Sequence, residues 1–295
     1  MSSDRIIKIG TRASPLALAQ TQKLCDQLSQ LHSNIEIIKI ITTGDRLQNA
    51  QIWKLGGKEV FTKEIENALL AEEIDIAVHS MKDVPAELAH NLHIISVLAR
   101  DDPRDALISE YKTIFDLPHK AILGTSSPRR EQFILYHRPD IQIIPMRGNV
   151  DTRIKKMHDQ KIDAIILATA AIQRLNLDIP YYPIDIGVML PSACQGTIGM
   201  ESRIDDDYIN SLLRQINHDP SYCATQVERS IMAHLNGGCS IPFASHAIFD
   251  ESTNEIECHA AIFTDHKIYT SCNFLLSDME YNTQKIGDFL KHNLH

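Results

Sequence analysis

At 295 residues, with 43% hydrophobic and 23% charged residues, the chain has the make-up of a soluble globular protein of two or three lobes, because single cores stop growing at about 250 to 300 residues. A formal net charge of −9 gives no general attraction to nucleic acid or to an anionic membrane, so any bound anion must be held by a local cluster of Arg and Lys. No segment approaches the roughly 18 uninterrupted apolar residues of a membrane span, the start Met1-Ser2-Ser3-Asp4-Arg5 lacks the apolar stretch of a secretory signal, and six cysteines without a CxxC pair favour reduced thiols over disulfides or zinc; a cytoplasmic protein without metal is expected.

In chain order, the first third predicts a strand over 6–10, a helix over 15–32, a strand over 35–41, a helix over 62–71 and a strand over 74–79, an α/β alternation. The charged stretch Arg100-Asp101-Asp102-Pro103-Arg104-Asp105 suggests a domain boundary near residue 100. A second α/β run follows, with strands near 121–124, 141–145 and 164–168 and helices over 127–138 and 150–160. The segments Ile9-Gly10-Thr11-Arg12-Ala13-Ser14-Pro15 and Leu123-Gly124-Thr125-Ser126-Ser127-Pro128 share a strand, a Gly-Thr turn, small polar residues and a helix-opening proline, which points to an internal duplication. Proline suits the first helical turn, and the small residues before it leave backbone N–H groups free to face an anion. The third run predicts a helix over 222–235, strands over 243–249, 256–263 and 268–275, and a helix over 278–291, a small antiparallel α+β domain.

Cations recur at the turns: Arg12, Lys58, Lys63, Lys82, Arg129, Arg130, Arg147, Arg153 and Arg174. Turns at strand ends line the crevice of an α/β lobe, and Arg matches carboxylates bidentately, so this pattern suits a ligand with several carboxylates. Arg129, Arg147 and Arg153 are expected to face a ligand carboxylate rather than a protein one. Asp83 follows an apolar strand and stands beside Lys82, where a carboxylate can meet N–H groups or a developing cation. His79 reads as a satisfied hydrogen-bonding residue at a strand end. Cys239, in Asn236-Gly237-Gly238-Cys239-Ser240, sits in a glycine loop that favours a reactive or modified thiol over an inert core one, and Cys194 is a weaker candidate.

At these residues the sequence resembles the porphobilinogen deaminases over nearly its whole length. The resemblance is carried by IGTRASPLALAQT at 9–21, FTKEIENALL at 61–70, DIAVHSMKDVP at 75–85, GTSSPRR at 124–130, RGNVDTR at 147–153, the run at 168–175, LPSACQG at 190–196 and NGGCSIP at 236–242. It implies two lobes similar to type-II periplasmic binding proteins, over 1–98 with 198–216 and over 103–193, and a C-terminal α+β domain over 220–295. It also implies a dipyrromethane cofactor bound to Cys239 through a thioether, with Asp83 catalytic. Arg129, Arg130, Arg147, Lys82, Thr125, Ser126, Ser127 and, less directly, Lys58 match cofactor contacts, and Arg12, Ser14, Arg147, Arg153 and Arg174 match substrate contacts. The implied activity condenses four porphobilinogens into hydroxymethylbilane in a monomer with no membrane or nucleic-acid partner. Departures from the family pattern are Pro128 in place of Leu, Asp151 in place of Asn or Gly, and Cys194 in place of Gly. The competing reading is a non-catalytic anion-binding protein of the solute-receptor or effector-domain type, which needs neither Asp83 nor Cys239.

Overall fold

The computed structural model describes residues 5–46, 61–235, 242–264 and 266–294. The chain divides into two compact units, Met1–Asp101 with Thr197–Gln226, and Asp102–Gly196 with Val227–His295. Its elements run β1 (Ile7–Arg12), α1 (Pro15–Leu28), β2 (Ile35–Ile40), α2 (Thr43–Arg46), α3 (Lys63–Leu70), β3 (Ile76–Ser80) and β4 (Leu92–Val97) in the first unit. Then come β5 (Asp105–Ser109), β6 (Ile122–Gly124), α4 (Pro128–His137), β7 (Gln142–Ile144), α5 (Val150–Asp159), β8 (Ala164–Ala168), α6 (Thr169–Arg174) and β9 (Tyr182–Pro183) in the second. β10 (Ile198–Arg203) and α7 (Asp207–Gln215) return to the first unit, and α8 (Asp219–His234), β11 (Phe243–Asp250), β12 (Glu255–Phe263), β13 (Lys267–Leu275) and α9 (Met279–His292) complete the chain.

The first unit holds a five-stranded sheet in the order β2-β1-β3-β10-β4, and the second one in the order β7-β6-β8-β5-β9. In each, a central strand pairs in parallel with two neighbours, and the strand at the chain crossing, β10 or β5, runs antiparallel. The two sheets therefore have one topology, which bears out the duplication seen in the sequence. Gly10 lies opposite Ala77, and Gly124 opposite Ile165. Neither place has room for a Cβ: at Gly10 it would strike the Ile74 side chain, and at Gly124 it would come 2.7 Å from Met146 Cε.

The helices that follow these glycines start alike. Ser14 caps α1 and accepts from Ala17 N–H, Ser127 caps α4 and accepts from Arg130 N–H, and Pro15 and Pro128 occupy the first helical turn, where a missing N–H costs nothing. α1 then buries Ala17, Gln20, Thr21, Leu24 and Leu28, a stripe at helical spacing. Ile7, Ile9, Ile76, Val78, Ile198 and Met200 meet that stripe from the sheet. In the second unit, Leu107, Leu123, Phe133 and Ile166 share a core with Ala244, Ala261 and Phe263 of the antiparallel sheet β11-β12-β13. α9 covers the strands β12 and β13. The protein is thus α/β, with two lobes of one topology and a small C-terminal three-stranded domain.

Candidate active site

In the first unit, the end of β1, the start of α1 and the end of β3 converge on a cavity lined by Arg12, Ser14, Gln20, Phe61, His79, Ser80 and Asp83, among others. Asp83 lies in a 3-10 turn, Met81–Asp83, directly after β3, fixed by Met81 N–H donating to Thr197 O at 3.0 Å. Arg12 stacks 4.5 Å above the Phe61 ring and pairs with Asp45 at 2.5 Å. Burial works to raise the Asp45 carboxyl, but hydrogen bonds and charge from Arg12 outweigh it and hold Asp45 below the usual carboxylate range. Gln20 and Ser80 hydrogen-bond to each other, and His79 Nε2 lies 2.9 Å from Glu201 Oε2. Lys82 stands half-buried in the same turn.

In the second unit the arginines after the duplicated turn are not at the surface: Arg129 is 5% and Arg130 7% exposed. Both pair with Asp105, the buried first residue of β5, Arg129 Nη2 at 2.7 Å and Arg130 Nη2 at 2.8 Å. Gln195 Nε2 adds a third donor at 3.0 Å, while Arg129 Nη1 and Arg130 Nη1 donate to Leu190 O and Ile166 O. Burial alone would raise the Asp105 carboxyl, yet the two guanidiniums override it and push it far below the usual range. This corrects the expectation that Arg129 meets a ligand carboxylate instead of a protein one. A guanidinium so deeply buried requires a fixed counter-charge, and Asp105 supplies it. Two guanidiniums on one carboxylate leave the triad with a net positive charge.

Around this triad, Thr125 Oγ1 accepts from Ser127 N–H, and Ser126 Oγ donates to Met146 O at 3.0 Å and accepts from Met146 N–H at 2.9 Å, which ties the loop to the segment carrying Arg147. Arg147 is half-buried, Arg153 Nε donates to Gly148 O at 2.8 Å, and Arg174 Nη2 donates to Gly196 O at 2.5 Å. The structure therefore gathers Arg12, Ser14 and Asp83 on one cavity, and Arg129, Arg130 and Gln195 on Asp105, with the Thr125–Ser127 loop leading into the helix that carries the two arginines. Lys58 and Cys239 lie outside the described residues.

The family profile described as porphobilinogen deaminase, dipyromethane cofactor binding domain, matches residues 7–211, and that described as porphobilinogen deaminase, C-terminal domain, matches residues 222–272. Porphobilinogen deaminases of Shouchella clausii, Rickettsia prowazekii and Syntrophomonas wolfei are 45%, 44% and 46% identical to the chain over 248, 253 and 249 residues. These alignments cover 82%, 84% and 82% of this chain and 80%, 85% and 81% of theirs. The chain belongs to the porphobilinogen deaminase family. Among solved structures, a TRAP periplasmic solute binding protein of Desulfovibrio salexigens aligns at a TM-score of 0.44 and 7% identity over 74% of each chain, too distant to carry an argument.

The departures from the porphobilinogen deaminase pattern have local explanations. Pro128 fills a first-turn position that needs no N–H. Asp151 lies in the first turn of α5, where the helix dipole favours a negative charge. Cys194 adopts φ +60, the left-handed region where glycine is at ease, and it is 1% exposed, so its thiol is a core group. Sequence reasoning missed Asp105, Gln195, Glu201 and Glu228. Glu228 is fully buried in α8, accepting from Cys194 N–H and, at 2.7 Å, from Ala247 N–H. The available signal for Asp105 was a carboxylate opening the apolar run Asp105-Ala106-Leu107-Ile108, which reads instead as the end of a charged linker.

The donor set fits a dipyrromethane, whose acetate and propionate groups need several fixed cations. The triad supplies a buried net positive charge, and Arg153 and Arg174 have N–H groups anchored on main-chain oxygens, which orient the guanidinium.

Proposed function

We propose that this transferase of tetrapyrrole biosynthesis condenses four porphobilinogens head to tail into hydroxymethylbilane, releasing ammonia at each addition, on a dipyrromethane joined to Cys239 by a thioether. The observation that carries this reading is that, in a chain of this family, Arg12, Ser14 and Asp83 line one cavity. The bound dipyrromethane supplies the pyrrole end from which the product grows. Asp83, opposite a substrate pyrrole N–H, stabilises the cation that forms as the amine departs. Arg12, fixed by Asp45 and Phe61, presents remaining N–H groups to a substrate carboxylate. Arg129 and Arg130, set by Asp105, give the second lobe its positive field and act, with Ser127, Thr125, Ser126, Arg147, Lys82 and Lys58, as cofactor contacts, with Arg147, Arg153, Arg174 and Ser14 as further substrate contacts.

The three-domain division over 1–98 with 198–216, 103–193 and 220–295 is part of this proposal and is supported by three separate sheets. So are a monomeric state, a cytoplasmic location, and the absence of membrane and nucleic-acid partners. The net charge of −9 supports the last, and among the described residues no helix is long and apolar enough to cross a membrane. A non-catalytic anion-binding role is not favoured by relatives named porphobilinogen deaminase. Incubation with porphobilinogen followed by oxidation is expected to give porphyrin absorbance; binding of porphobilinogen without consumption or ammonia release would favour the binding protein.

A further inference from the structure

Among the side chains lining the first-lobe cavity, His79 carries the one basic ring nitrogen, since Arg12 is a cation and Ser14, Gln20, Ser80 and Thr62 are poor bases. It is 6% exposed, stands on β3 opposite Gly199 of β10, and its Nε2 lies 2.9 Å from Oε2 of Glu201, which is 0% exposed. Glu201 Oε1 has no hydrogen-bond partner among the described residues. A buried carboxylate with so few partners needs a charge-assisted donor, so the Nε2 proton points at Glu201. The other ring nitrogen, Nδ1, then carries the lone pair and makes no hydrogen bond among the described residues. A buried carboxylate on one imidazole nitrogen of a residue that lines a cavity is an arrangement suited to a general base.

We propose that His79, oriented by Glu201, is the base that takes the proton released when two pyrroles are joined. This rests on the transferase reading above. The C–N bond of the protonated aminomethyl group breaks with both electrons going to nitrogen, which departs as ammonia and leaves a pyrrole-stabilised cation. The free α-carbon of the neighbouring pyrrole forms the new C–C bond to that methylene. Its C–H electrons restore the aromatic ring, and the proton passes to Nδ1 of His79, then to ammonia, so that the products are the longer chain and ammonium. A separate base matters because Asp83 must stay ionised beside the cation until the ring is restored. Glu201 of β10 contacts His79, and the charged groups that line the cavity with it are Arg12 from β1 and Asp83 from the turn after β3, while the cap residue Ser14 and Leu16, Ala17 and Gln20 of α1 are uncharged.

The test is turnover of porphobilinogen carrying deuterium at its free α-position, in the holoenzyme and in His79→Gln, which keeps an amide near Glu201 and removes the basic nitrogen. The expected result is a loss of about 10²-fold in turnover together with a larger α-deuterium isotope effect than in the wild type. Glu201→Gln, a positioning change, should move both in the same direction by less. A wild type that consumes porphobilinogen while His79→Gln keeps turnover within about two-fold, or loses it with an unchanged isotope effect, overturns the role of His79 and leaves the transferase reading intact. Should the variants fail to fold, nitrogen NMR of the wild-type holoenzyme decides: a His79 ring protonated at Nε2 and bare at Nδ1 supports the proposal, and the opposite tautomer overturns it.

Discussion

The two lobes repeat one topology and spend their charge differently. Aligned on Pro15 and Pro128, the first helical turn carries Leu16 and Ala17 in one lobe and Arg129 and Arg130 in the other. Aligned on Gly10 and Gly124, Ser80 matches Ala168, Asp83 matches Ala171, and Ile198 matches Asp105. The second lobe therefore has a buried permanent charge cluster where the first has apolar packing. The first has an acid and an imidazole on a cavity where the second has alanine and leucine. One topology thus carries different side chains at the same few strand ends and helix starts, and these substitutions, not the backbone, give the two lobes their different chemistry.

The largest expected effect is at Asp83. Asp83→Asn should fold and lose about 10² to 10⁴ in rate, because the developing cation loses its counter-charge at every addition. Steady-state turnover at wild-type thermal stability checks this, and a variant above half the wild-type rate would return Asp83 to the role of a turn residue.

Next comes Asp105, where the effect should fall on the fold. Asp105→Asn leaves two buried guanidiniums facing a neutral amide and should lower stability by about 3 to 5 kcal/mol in urea unfolding. Its folded carboxyl titrates below the unfolded value of about 3.9. The stabilisation is therefore fully present above about pH 4 to 5 and is lost as pH falls through the folded titration. Acid unfolding should be shallower in Asp105→Asn than in the wild type. Equal stability for the two proteins at pH 7 would mean that the second lobe does not depend on its triad.

The smallest effects should be the two caps. Ser14→Ala and Ser127→Ala each remove one side-chain acceptor from the first turn of a helix and should cost about 1 kcal/mol apiece. Thermal melts of the two variants compare the lobes at a point where they are alike, and a several-fold inequality would show that the duplicated turns are not equivalent in the folded chain.

Elements with strong local signals were legible in the sequence: the proline-opened helices α1 and α4, the strands β1, β2, β6 and β8, and the antiparallel run β11 to β13 all lie within a few residues of their expected places. β10 was not, because Ile198-Gly199-Met200-Glu201-Ser202-Arg203 is buried on both faces yet contains a glycine, a carboxylate and a serine, which breaks both alternation and an apolar run. β5 hid behind Asp105 for the same reason. The candidate cavity could be read from Arg12, Ser14 and Asp83, whose motifs are local. The partners Asp45, Asp105 and Glu201 could not, since each meets its cation or imidazole across 24 to 122 residues of chain. Cα register and burial, which only the fold supplies, bring them together.

The thioether to Cys239 is the feature whose presence decides between a deaminase and a binding protein. Intact-protein and peptide mass spectrometry of the purified holoprotein should find two linked pyrroles on the peptide containing residues 236–242, with the other five of the six cysteines alkylatable after denaturation. Cys239→Ala should lack both the adduct and the colour that an acidic aldehyde reagent gives with pyrroles. An unmodified Cys239 in active enzyme, or the adduct on Cys194, would contradict the assignment.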